Sequence, residues 1–163
     1  MKVQDVMKET VKCCGPDTDL ARAIALMWET DCGVLPVIVD GGKAIGMITD
    51  RDITIALGTR NKPASDISVI DVMSAAAHTA SPDDDIQDAL KTMQKEQVRR
   101  LPVVNSDGAL SGILCLNDIA LQVVPSNGKK KTHLSYEDVV TTLKAICERR
   151  HPALEEQYRT AQT

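Results

Sequence analysis

Residues 46 to 53 read Gly46-Met47-Ile48-Thr49-Asp50-Arg51-Asp52-Ile53, an apolar β run that stops where a helical pattern begins. The junction sets a hydroxyl and a carboxylate three residues apart. The first amides of a helix have no intrahelical partner, so a hydroxyl beside them can hold a phosphate. A carboxylate one turn further in can accept two hydrogen bonds from a ribose diol. The same Thr-x-x-Asp spacing also describes an ordinary helix cap, in which Thr49 and Asp52 satisfy each other. Two facts weigh on the choice between cap and ligand site: the motif recurs, and two arginines stand beside the recurrence.

Val3-Gln4-Asp5-Val6-Met7 matches Val69-Ile70-Asp71-Val72-Met73, and the offset of 66 residues then holds without a gap. It pairs Pro16-Asp17 with Pro82-Asp83, Met27 with Met93 and Leu35-Pro36-Val37 with Leu101-Pro102-Val103. It continues through Gly46 with Gly112 and Asp52-Ile53 with Asp118-Ile119. Each copy predicts an extended piece (Thr10 to Cys13; Ala76 to Thr79) stopped by a proline turn. A helix follows an acidic cap, with Leu20, Ile24 and Met27, or Ile86, Leu90 and Met93, on one face. A hairpin through Gly41-Gly42 or Asp107-Gly108 comes next, and then a second helix from Asp50 or Leu116. A β-α-β-β-α unit of this size buries its own sheet poorly, so two units are expected to pack sheet to sheet in an α+β fold. The repeats span 1–58 and 69–124, joined by a turn-rich linker at 59–68.

The doubled Asp-Val-Met start, Leu-Pro-Val strand and Gly-h-h-Thr-x-x-Asp end resemble tandem cystathionine-β-synthase (CBS) domains, a Bateman module, over residues 1–124. The resemblance implies two paired repeats, a disk-shaped homodimer, and clefts that bind adenine nucleotides or related adenosyl ligands. It implies a regulatory or sensing role. No nucleophile–base pair or gathered carboxylate pair argues for an enzyme, and the pyridoxal-phosphate domain behind the family's name has no room here.

Carried over, the first cleft joins Thr49 and Asp52 to Val98, Arg99 and Arg100, with Met47 and Arg51 alongside and Ala76 and His78 walling the base. Asp52 is expected to hold ribose, and Thr49 with the two guanidiniums to hold phosphate. The bland reading makes the arginines a solvated loop edge. The second cleft pairs Cys115 and Asp118 with Cys32 and Val34. Cysteine there replaces the phosphate-side hydroxyl, and Lys12 is the only basic candidate nearby. The expectation is therefore one AMP, ADP or ATP site per chain, at Thr49 and Asp52, with S-adenosylmethionine as another possible ligand.

Composition bounds the rest. With 43% hydrophobic and 26% charged residues, the chain has the apolar mass for a core. A net charge of −4 argues against a protein built to coat nucleic acid or an anionic membrane. No phenylalanine is present, and Trp28, Tyr136 and Tyr158 are the aromatics, too few for a base-stacking platform. No apolar run approaches a membrane span and no signal-peptide core is evident, so a cytoplasmic protein is expected. Five cysteines without Cys-x-x-Cys spacing read as reduced thiols. Cys13-Cys14 nevertheless invites the competing reading, a thiol- or metal-responsive sensor or structural dimer with empty clefts. After a basic connector at 125–134, Ser135 is expected to cap a helix to residue 150. Its stripe is Val139, Val140, Leu143 and Ile146, and a polar tail follows at 151–163.

Overall fold

The computed structural model describes residues 1–75, 78–123 and 134–148. Helix α1 (Leu20–Glu29) starts at Asp19, whose carboxylate accepts the Arg22 amide at 2.8 Å. Helix α3 (Ile86–Glu96) starts in the same way at Asp85, which accepts the Gln87 amide at 2.8 Å. Helix α1 buries Leu20, Ala23 and Met27, and α3 buries Ile86, Ala89, Leu90 and Met93. Each helix leads into an antiparallel hairpin, β1 (Val34–Val39) with β2 (Lys43–Thr49) and β4 (Arg100–Val104) with β5 (Leu110–Cys115). Both hairpins shift register at the same place, after Val37 and after Val103. Helices α2 (Asp50–Arg60) and α4 (Leu116–Gln122) close the two units.

The extended pieces expected before α1 and α3 are not strands among the described residues. A single parallel bridge falls one residue beyond each piece, Cys14 to Val37 and Ala80 to Val103. Proline stands two residues beyond each bridge, and its missing N–H ends the ladder.

The Val-x-Asp-Val-Met segments pack on the opposite repeat, which the periodicity alone does not reveal. The Val3 and Gln4 amides donate to the Asp84 and Pro82 carbonyls at 3.0 Å, and Val3 and Val6 join the core of Leu90, Leu101 and Leu114. Reciprocally, the Val69 and Ile70 amides donate to Thr18 and Pro16, and Ile67 and Val69 join the core of Leu20, Leu35 and Ile48. The exchange puts β3 (Ser74–Ala75) beside β2, and Lys8 at the equivalent place beside Ile113 of β5. Each core is therefore completed by residues from both halves of the sequence. The sheets meet directly, with β2 against β4 and Lys43 bridged to Ala109.

Helix α5 (Tyr136–Cys147) docks on α3 and α4 of its own chain. Ser135 and Asp138 form a reciprocal cap at its start. Val139 and Ile146 pack on the second core, but Val140 and Leu143 face outward, against the expected stripe. Thr142 takes the inner position instead. It is fully buried, with its hydroxyl donating to the Asp138 carbonyl and accepting from Gln94, both at 2.8 Å. Gln97 adds two bonds from Nε2, to the carbonyls of Ala145 and Glu148. The 151–163 tail, His133, His151 and most of the basic connector lie outside the described residues. No described helix is long and apolar enough to cross a membrane.

Candidate functional site

At the end of β2, the Thr-x-x-Asp pair folds as a complete cap. The Thr49 amide and hydroxyl both donate to Asp52 Oδ2, at 2.9 and 2.6 Å, and the Asp52 amide donates back to Thr49 Oγ1 at 3.2 Å. The Thr49 hydroxyl and Asp52 Oδ2 are thus engaged with each other, and Asp52 Oδ1 takes no part in the cap. Met47 sits between Pro36 and Ser74 in the sheet, and Arg51 is exposed on α2. His78 pairs with Glu96 at 3.1 Å, so a carboxylate stands on that side of the molecule. Val98 is half-buried against the second core. Ala76 lies outside the described residues.

The equivalent junction in the second repeat is built differently. Cys115 opens α4 without a side-chain cap, because a thiol is a weak donor and acceptor. Asp118 therefore turns to Lys8, whose Nζ lies 3.1 Å from Oδ1. Asp118 Oδ2 is buried and has no partner among the described residues. Buried polar atoms are nearly always paired, so a free carboxylate oxygen marks a place where a donor is wanted.

That oxygen belongs to a residue lining a cavity of about 390 Å³. Lys8, Lys12, Arg99 and Arg100 supply four cations to the lining, against Asp31 and Asp118. Cys32, Val34 and Cys115 complete the set named for the second cleft. The structure thus gathers all five residues of that cleft and adds both arginines. The expectation that Lys12 is the only basic residue there is corrected by Lys8, Arg99 and Arg100. Sequence spacing missed Lys8 because its segment crosses to the other repeat. Arg100 reaches this wall because it pairs with Cys115 across β4 and β5. Gly33, the counterpart of Arg99, places no side chain on this wall, and the Asp50 carboxylate lies 2.8 Å from where a Cβ would stand.

Cys13, Cys14 and Cys115 have raised pKa values. Burial pushes Cys115 up, Asp118 adds to this, and Arg100 pulls against it. Burial, with Cys13 beside it, pushes Cys14 up to about 11, so little of it is thiolate at neutral pH. Among the described residues no three His, Cys, Asp or Glu side chains gather as a metal site.

Paired β-hairpin repeats, helices outside and a cleft at the strand ends are the marks of a CBS pair. The family model for the CBS domain matches residues 3–59 and 69–124, and the chain belongs to that family. It is 32% identical over 139 residues to CBS domain-containing protein YhcV of Bacillus subtilis, covering 84% of this chain and 97% of that one. It is 33% identical over 149 residues to hypoxic response protein 1 of Mycobacterium tuberculosis, covering 88% and 92%. The crystal structure of Hypoxic Response Protein I, with two coordinated zinc ions, superposes with a TM-score of 0.69 at 31% identity, over 76% of this chain and 100% of that one. CBSX2 of Arabidopsis thaliana in complex with AMP gives a TM-score of 0.63 at 26% identity, over 74% and 93%.

Proposed function

We propose that the chain is a regulatory module that binds an adenine nucleotide in the cavity between Asp118 and the two arginines. The observation carrying this reading is a cavity lined by Asp118 and four cations, with the buried Asp118 Oδ2 left without a partner among the described residues. Asp118 would accept from the ribose diol, and Arg99 and Arg100 would take phosphate oxygens, which suit guanidinium forks. The AMP complex of CBSX2 supports the ligand class. The sequence alone favours the Thr49 and Asp52 side, but there the hydroxyl and one carboxylate oxygen are engaged with each other. Calorimetry with AMP on wild type, Asp118→Ala and Asp52→Ala tests the choice. Asp118→Ala is expected to lose about ten- to a hundredfold in affinity, the worth of one charge-assisted hydrogen bond. Asp52→Ala is expected to bind as wild type does. The reverse pattern would move the site to Thr49 and Asp52. Absence of AMP binding by wild type at millimolar ligand would reject the nucleotide reading, and zinc in the purified protein would then favour the metal reading suggested by Hypoxic Response Protein I.

The module is further proposed to pair with a second copy through α1 and α2. Trp28 is 87% exposed and, with Ile24, Met27 and Leu57, edges an apolar groove of about 350 Å³. On the second repeat α5 covers the corresponding helix α3, and Leu90, the counterpart of Ile24, is only 1% exposed. An amphipathic helix of this chain thus covers one repeat, and the face left uncovered among the described residues suits a helix of a second copy. The chain's single tryptophan reports on this directly. Its emission is expected to move to shorter wavelength with rising protein concentration, in step with dimer mass in sedimentation. A monomer throughout the micromolar range with unchanged emission would exclude the pairing.

A further inference from the structure

We infer that Lys8 sets the charge class of the ligand: it pairs with Asp118 when no nucleotide is bound and moves to the phosphate when one enters. The inference rests on the reading of the cavity as a nucleotide site. Lys8 has a fixed backbone and a largely exposed side chain. Its amide and carbonyl both bond to Ile113 at 2.9 Å, and its carbonyl is packed so tightly on Gly112 that a Cβ there would approach to 2.6 Å. The side chain is 67% exposed, so water can take up the ammonium when it leaves, whereas Asp118, 14% exposed, needs another donor in its place.

The two ends of the ligand would make different demands on this lysine. Because Asp118 Oδ2 is buried, a ribose hydroxyl reaching this carboxylate competes with Lys8 for Oδ1. A neutral nucleoside offers the displaced ammonium nothing in return. A phosphorylated nucleoside offers it an anion, within a cavity that already holds Arg99, Arg100 and Lys12. Lys8 therefore penalises the neutral ligand and rewards the charged one. The first repeat has no such device, because Ser74 stands at the equivalent position and Thr49 holds Asp52.

Calorimetry with AMP and adenosine on wild type, Lys8→Met and Lys8→Arg tests this. Lys8→Met is expected to weaken AMP about tenfold, as a charge-assisted bond is lost. It is also expected to strengthen adenosine by up to about fivefold, as the competing ion pair disappears. Lys8→Arg keeps the charge and should retain the wild-type preference. Opposite movement of the two ligands is the signature, since a merely structural lysine would move both the same way. Melting temperatures check that the variants fold. Equal effects on both ligands, or an unchanged AMP-to-adenosine ratio in Lys8→Met, would overturn the role of Lys8 while leaving the nucleotide site intact. A wild type that binds neither ligand would reject the site and Lys8's role together.

Discussion

A chain with alanine at both Arg99 and Arg100 is expected to bind AMP at least about a hundredfold more weakly than wild type, while its adenosine affinity stays close to unchanged. The two guanidiniums line the same cavity wall, and neither appears in an ion pair of the described structure. Each offers a planar fork to phosphate oxygens, and each bond to a charged group is worth about 1.5–3 kcal/mol. Because both residues address one phosphate, their single-variant losses should not simply add. Arg99 is exposed and Arg100 half-buried, so the double variant should keep its melting temperature within a few degrees. Phosphate-dependent loss separates this effect from that of Asp118, whose removal should weaken AMP and adenosine alike. Should the double variant bind AMP with wild-type affinity, the phosphate does not lie on this wall.

The fold was legible in the sequence because its repeat is in register. Leu35-Pro36-Val37 and Leu101-Pro102-Val103 both became hairpin strands with the same shift after the third residue. The cap at Asp19 and the one at Asp85 fell where the acidic starts indicated. The site was only partly legible. Spacing identified Thr49, Asp52, Cys115 and Asp118 as equivalent, but could not tell which carboxylate is satisfied locally. That depends on one atom: Thr49 has a hydroxyl to give Asp52, and Cys115 lacks one for Asp118. Lys8 escaped notice for a different reason. It precedes the first repeat's helix, yet its partners Ile113 and Asp118 are more than a hundred residues away. Local patterning carries no information about such an exchange. Likewise the outward turn of Val140 and Leu143 follows from Thr142 finding Gln94, a pairing that apolar periodicity ignores.

Gly112→Ala and Gly46→Ala form a matched pair of expected results, since both glycines sit where a neighbouring chain comes close. A Cβ on Gly112 would stand 2.6 Å from the Lys8 carbonyl oxygen, and one on Gly46 would stand 2.5 Å from that of Ser74. Backbone atoms cannot swing aside as a side chain can, so in each case the adjoining segment must shift. Overpacking of this kind costs about 1–3 kcal/mol. For a chain of this size each kcal/mol lowers the melting temperature by roughly 2–4 °C, so both variants should melt several degrees early. Their ligand behaviour should diverge. Gly112→Ala pushes away the residue that carries the Lys8 ammonium, and with it the pairs to Ile113 and Asp118. Its AMP-to-adenosine preference should fall toward that of Lys8→Met. Gly46→Ala disturbs β3, which carries Ser74 and no charge, so its preference should match wild type. Calorimetry and thermal melts on the two variants read both effects. Wild-type melting of Gly112→Ala would show that the segment carrying Lys8 is not held against β5. Equal loss of ligand preference in both would mean that discrimination depends on general stability and not on Lys8.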